Sequence, residues 1–159
     1  MAKTSELKAK RRERFFRYAP LFLWIGVIFL ASTTQASMSN TSRFIRPLLM
    51  FLFPDAPEET LIVYHNFIRK AAHFTEYAAL AFFAARAFST SSVKFLQKFW
   101  FVFAFVLVIL VALIDETNQS FNSARTGSIY DVLLDCSGGL TMILFFAFFT
   151  FASKRAIRR

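Results

Sequence analysis

The run FLQKFWFVFAFVLVILVALI, residues 95–114, contains one charged residue, Lys98, and is otherwise almost continuous hydrocarbon and aromatic ring. A helix rises about 1.5 Å per residue, so about 20 mostly apolar residues cross the hydrocarbon of a bilayer. An amphipathic helix on a water-soluble core would show a polar stripe, and this run has none. Three further segments approach the same length: Phe15–Thr33, with Pro20 near its start and Trp24 inside; Ile68–Phe88, the least apolar; and Ile129–Ala152. Together they predict an all-α membrane protein, a four-transmembrane-helix bundle. Between the first two lies FIRPLLMFLF, Phe44–Phe53, apolar but too short to span and interrupted or bounded by Pro47, Pro54 and Pro57. It predicts a short interfacial segment between helices 1 and 2.

The chain has 159 residues, enough for one domain. Phe occurs 23 times against four Gly and four Pro, a richness in aromatic rings that a lipid-facing surface accommodates. The formal charge of +9 raises nucleic acid as a partner, but the basic residues sit in short runs at the edges of apolar blocks. That placement points to membrane topology and excludes a nucleic-acid surface. Lys3, Lys8, Lys10, Arg11, Arg12, Arg14 and Arg17 precede the first span. Arg86, Lys94 and Lys98 join the second and third, and Lys154, Arg155, Arg158 and Arg159 follow the fourth. Only Glu6 and Glu13 oppose them, whereas the opposite side carries eight of the ten carboxylates. By the positive-inside rule both termini are cytoplasmic, which an even number of spans permits. The division is a basic tail over 1–14, a transmembrane domain over 15–152 and a second basic tail over 153–159. The small residues after the first span admit a signal-peptide reading, but the long basic region before it favours an uncleaved helix.

Ionisable side chains at membrane depth are costly and persist when partnered, wetted or functional. Here they gather at one level. The second segment enters with Arg69, Lys70, His73, Glu76 and Tyr77. At 100° per residue Arg69, His73 and Glu76 share one stripe, with Tyr77 on its edge. The third segment leaves through Asp115, Glu116 and Gln119, and the following loop supplies Arg125. The fourth re-enters through Asp131 and Asp135, followed by Ser137, Gly138 and Gly139, small enough to admit a neighbouring helix closely. These residues form the candidate ligand-binding set, with Glu76, His73 and Asp135 as catalytic candidates. A purely structural reading stands beside it: ion pairs such as Arg125–Asp131 or Arg69–Asp115 would lock helices together. The sequence has no HExxH, no cysteine pair and no calcium-loop spacing, so no metal site and no cofactor are expected. It also lacks a phosphate loop, GxSxG and a dinucleotide fingerprint. Cys136, alone, makes no internal disulfide and reads as a buried thiol.

At these residues the sequence resembles the VanZ-like family of bacterial membrane proteins. IRKAAHFTEYAAL (Ile68–Leu80) is similar to the family's K-x-x-H-F-x-E-Y block. IDETNQSFNSARTGSIYDVLLDCSGG (Ile114–Gly139) is similar to its D-E-x-x-Q, R-x-G and D-x-x-x-D/N-x-x-G series. STTQASMSNTS (Ser32–Ser42) matches its serine-rich stretch more loosely, and Leu140 and Thr141 depart from its Gly-rich fourth helix. The resemblance implies the bacterial cytoplasmic membrane and an association with reduced susceptibility to teicoplanin, a glycopeptide antibiotic. It brings no reaction with it.

Three functions follow as expectations. The first is a non-enzymatic outer-leaflet pocket that binds or shields the headgroup of a membrane lipid or lipid-linked cell-wall precursor, using Arg69, Lys70 and Arg125. The second is an intramembrane enzyme on a lipid-linked substrate, with Glu76 or Asp135 as general base and His73 as acid. The third is a small proton-coupled transporter, which would require a homo-oligomer to form a path.

Overall fold

The computed structural model describes residues 2–32, 38–120 and 128–157, with side chains over 5–32, 42–120 and 128–153. Six helices follow one another in these residues: α1 (Ala2–Ala31), α2 (Met38–Leu52), α3 (Glu58–Ser89), α4 (Lys94–Lys98), α5 (Trp100–Ser120) and α6 (Ile129–Ile157). No strand occurs among the described residues.

Three helices are long and apolar enough to cross a membrane: Ser5–Ala31 of α1, Trp100–Ser120 (α5) and Ile129–Ser153 of α6, with mean hydropathies of 1.5, 2.3 and 2.0. α3 does not join them, because Arg69, Lys70, His73 and Glu76 interrupt its apolar run. α3 is the hub of the molecule, in contact with α1, α2, α4, α5 and α6, and these neighbours cover one face of its second half while Lys70 stays exposed and Arg69, His73 and Glu76 are half-buried. Its covered face is built of small residues: Ala81, Ala84, Ala85 and Ala87 are fully buried beside Leu80. Alanine favours the helix and lets adjacent backbones approach closely. Around this hub the outward faces of α1, α5 and α6 expose Phe22, Phe101, Phe145, Phe148, Phe149 and Phe151. An aromatic surface this extensive suits hydrocarbon and would be an aggregation hazard in water.

Several boundaries differ from the sequence expectation. α1 is helical from Ala2, so the basic tail continues the first span as one helix through Pro20. The third segment does not run unbroken from Phe95. The short helix α4 ends where the Phe99 backbone leaves helical geometry, and α5 starts afresh at Trp100. Pro47 does not interrupt its segment but lies inside α2, where it forfeits the single helical hydrogen bond that its own missing N–H would make. Pro54 and Pro57 do lie in the connection to α3. α2 packs on α3 through Ser42 Oγ and His65 Nδ1 at 3.2 Å, an Arg46–Glu58 ion pair at 2.8 Å and a Phe53–Tyr64 ring contact.

α1 is pinned to the rest at three levels. At the intermediate level, Trp24 Nε1 donates to the Glu76 carbonyl oxygen at 2.9 Å. Toward one end of the bundle, Arg17 donates to Ser92 Oγ at 3.1 Å and the Tyr18 hydroxyl lies 3.0 Å from Ser91 Oγ. Toward the other, Asn118 Nδ2 donates to Ser32 Oγ at 3.4 Å. The end marked by Asn118 holds the polar cluster.

Candidate functional site

Two glycines set the geometry. A Cβ on Gly138 of α6 would collide with the backbone carbonyl of Phe74 on α3, and one on Gly139 would sit 2.7 Å from a Val108 methyl on α5. Only hydrogen at these positions lets α6 wedge this close against both neighbours. The consequences for the polar residues are direct. Phe74 adjoins His73, and Asp135 lies three residues before Gly138, on the same side of α6. Val108 lies two turns before Asp115 on α5. The close approach at Gly138 and Gly139 thus brings the His73, Asp115 and Asp135 turns together.

In the resulting cluster, one donor atom from each of His73, Asp115, Glu116 and Asp135 lies within 4.8 Å of one from every other. All three carboxylates are buried, Asp135 completely, and His73 is half-buried. Asp115 Oδ2 accepts from the Tyr77 hydroxyl at 3.1 Å and from Gln119 Nε2 at 3.0 Å. Glu116 Oε2 accepts from the Ser128 backbone N–H at 2.8 Å, tying the start of α6 to the end of α5. The second oxygen of each, Asp115 Oδ1 and Glu116 Oε1, is buried without a hydrogen-bond partner, as are both Asp135 oxygens and His73 Nδ1. Asp135 Oδ1 and His73 Nδ1 approach to 3.5 Å, a separation at which the pair attracts but completes no hydrogen bond.

The other sequence candidates fall around this centre. Tyr77, placed on the edge of the stripe from the sequence, is fully buried and orients Asp115. Tyr77 lies on the covered face of α3 together with Leu80, Ala81 and Ala84. Glu76 is half-buried and outside the four converging donors. Asp131 and Arg69 are half-buried, and Lys70 is exposed. The expected Arg69–Asp115 ion pair is not formed: Tyr77 and Gln119 supply Asp115's donors instead. Among the described residues no Lys or Arg comes within 4.0 Å of Asp115, Glu116 or Asp135. Arg125 lies outside the described residues, so the Arg125–Asp131 pair does too. Glu116, a member of the candidate ligand-binding set, is buried and joins the cluster, and the adjacency of two acids at the end of an apolar helix is its signal in the sequence.

The family model described as VanZ/LLP1 matches residues 17–150. No curated protein and no solved structure matches the chain.

Proposed function

The chain belongs to the VanZ/LLP1 family, and from that premise we propose that it is a four-span protein of the bacterial cytoplasmic membrane that binds the polar headgroup of a membrane lipid or lipid-linked cell-wall precursor. In this reading α3, sheltered by its neighbours, is the fourth span, α2 lies in the interface and both termini are cytoplasmic. The basic N-terminal turns of α1 and the α3–α5 connection meet through Arg17, Tyr18, Ser91 and Ser92, which supports placing Arg86, Lys94 and Lys98 on the same side as the N-terminus. The cluster then occupies the outer half of the bundle. Arg69, Lys70 and Arg125 are offered to the phosphate of a headgroup and the carboxylates to its hydroxyl, ammonium or cation partners.

The observation that carries this reading is the meeting of His73, Asp115, Glu116 and Asp135 from three helices within 4.8 Å. Buried ionisable groups at membrane depth are costly enough to mark a functional site. Protection from teicoplanin would follow if the bound headgroup is the one the drug reaches. The test is lipid co-purification by native mass spectrometry, wild type against an Arg69→Ala/Asp135→Asn variant of equal membrane expression, with teicoplanin susceptibility scored in parallel. The reading expects a bound lipid that the variant loses together with its protection. Identical lipid content and identical susceptibility would refute it.

One observation favours a second, enzymatic reading. The 3.5 Å approach of His73 to Asp135 is that of an acid–base pair before substrate draws it together. It predicts chemical change in a lipid-linked substrate that Asp135→Asn abolishes while binding survives.

A further inference from the structure

We infer that His73, Asp115, Glu116 and Asp135 form a binding site for one divalent metal cation. The inference goes beyond the headgroup reading and does not depend on it.

The first ground is the distribution of satisfied and unsatisfied oxygens. Asp115 and Glu116 each have one oxygen held by protein donors and the other buried without any. That division is the usual state of metal carboxylates, one oxygen oriented by a surrounding shell and the other reserved for the ion. Asp135 is fully buried with both oxygens unsatisfied, a costly condition that a bound cation relieves.

The second ground is charge. Three buried carboxylates face one histidine, with no Lys or Arg within 4.0 Å among the described residues. The groups that converge on Asp135 from α3 and α5 are His73, Asp115 and Glu116, and of these only His73 has a cationic form.

The third ground is spacing. Ligand atoms about 2.1 Å from a cation lie about 3–4.2 Å from one another. Donors already within 4.8 Å close onto an ion through side-chain movements of about 1 Å or less.

The donor set selects the class of ion. One imidazole nitrogen and three carboxylate oxygens, with no sulfur, suit Mn²⁺ or Zn²⁺ and disfavour a soft ion such as Cu(I). Calcium takes six to eight oxygens, more than these residues offer. Four protein ligands leave an octahedral ion two positions, open to water or to an oxygen of a headgroup.

The experiment uses the full-length protein in detergent, stripped with EDTA, dialysed and titrated with Mn²⁺ while the free-ion EPR signal is followed. One equivalent per chain is expected to bind, to be displaced by Zn²⁺ and to raise the melting temperature. Asp135→Asn and Glu116→Gln should each weaken binding by about 100-fold or more and lose that rise. Tyr77→Phe, which removes only an orienting donor, should weaken it about 10-fold. Glu59→Gln, an exposed carboxylate at the start of α3 and outside the donor set, should bind as the wild type does. Helical circular dichroism confirms each variant's fold, and the wild-type titration decides the inference even if one variant fails to fold. Wild-type protein that leaves millimolar Mn²⁺ and Zn²⁺ unbound would overturn it, as would both Asp135→Asn and Glu116→Gln binding with wild-type affinity. Because the titration contains no lipid and lipid co-purification contains no added metal, failure of one does not masquerade as failure of the other.

Discussion

At the end of the bundle where Arg17 and Tyr18 meet Ser92 and Ser91, the charges are basic and point outward. Arg11, Arg12, Arg14, Arg86, Lys94 and Lys98 are all exposed. At the opposite end the charges are acidic and turned inward: Asp115, Glu116 and Asp135 are buried, and four of their six oxygens lack a hydrogen bond. The two arrangements differ in cost. Exposed basic side chains keep their hydration and disturb the fold little. Buried, incompletely bonded carboxylates oppose folding and persist where something outside the chain completes them. The acidic end is therefore where ligand chemistry is expected.

The comparison can be strained hardest at Gly138. Gly138→Val places branched carbons against the Phe74 carbonyl on α3, so α6 must move away from the turn that carries His73. Overpacking of this kind costs about 1–3 kcal/mol or more, and thermal unfolding of the purified protein should register it as a large fall in Tm. Next comes Tyr77→Phe, which removes a buried donor from Asp115 and should cost about 1–3 kcal/mol. Chemical denaturation in mixed micelles measures it. Trp24→Phe deletes the indole bond to the Glu76 carbonyl, a loss of about 0.5–1.5 kcal/mol. At the basic end, Arg17→Ala removes an exposed bond to Ser92 and should change stability by no more than about 0.5 kcal/mol. A cost at Arg17 as large as that at Tyr77 would erase the distinction between the two ends.

Much of this organisation was legible in the sequence, for identifiable reasons. The apolar run ending at Ile114 and the i, i+4 pair Asp115–Gln119 are local features, and both reappear in α5 with the pair hydrogen-bonded at 3.0 Å. Gly138 and Gly139 were legible as points of close approach because absence of a side chain has one main use between helices. What stayed hidden depends on neighbours distant in the chain. The rank of Tyr77 above Glu76 in burial follows from which side of α3 the glycines of α6 press against. Glu116 turns inward because its carboxylate accepts from the Ser128 N–H, a bond between residues twelve apart that the sequence does not announce. The break at Phe99 and the continuity through Pro47 likewise turn on backbone choices that hydropathy does not encode.

The central claim is that Asp135 is held for a ligand and contributes little to holding the helices together. The direct measurement is thermal unfolding of wild type and Asp135→Asn, both stripped with EDTA and lipid-depleted. The account predicts that the amide leaves the melting temperature unchanged or raises it, because a buried carboxylate without donors is replaced by a neutral group of the same shape. A fall matching the 3–5 kcal/mol typical of breaking a buried structural ion pair, here about 6–20 °C, would contradict it.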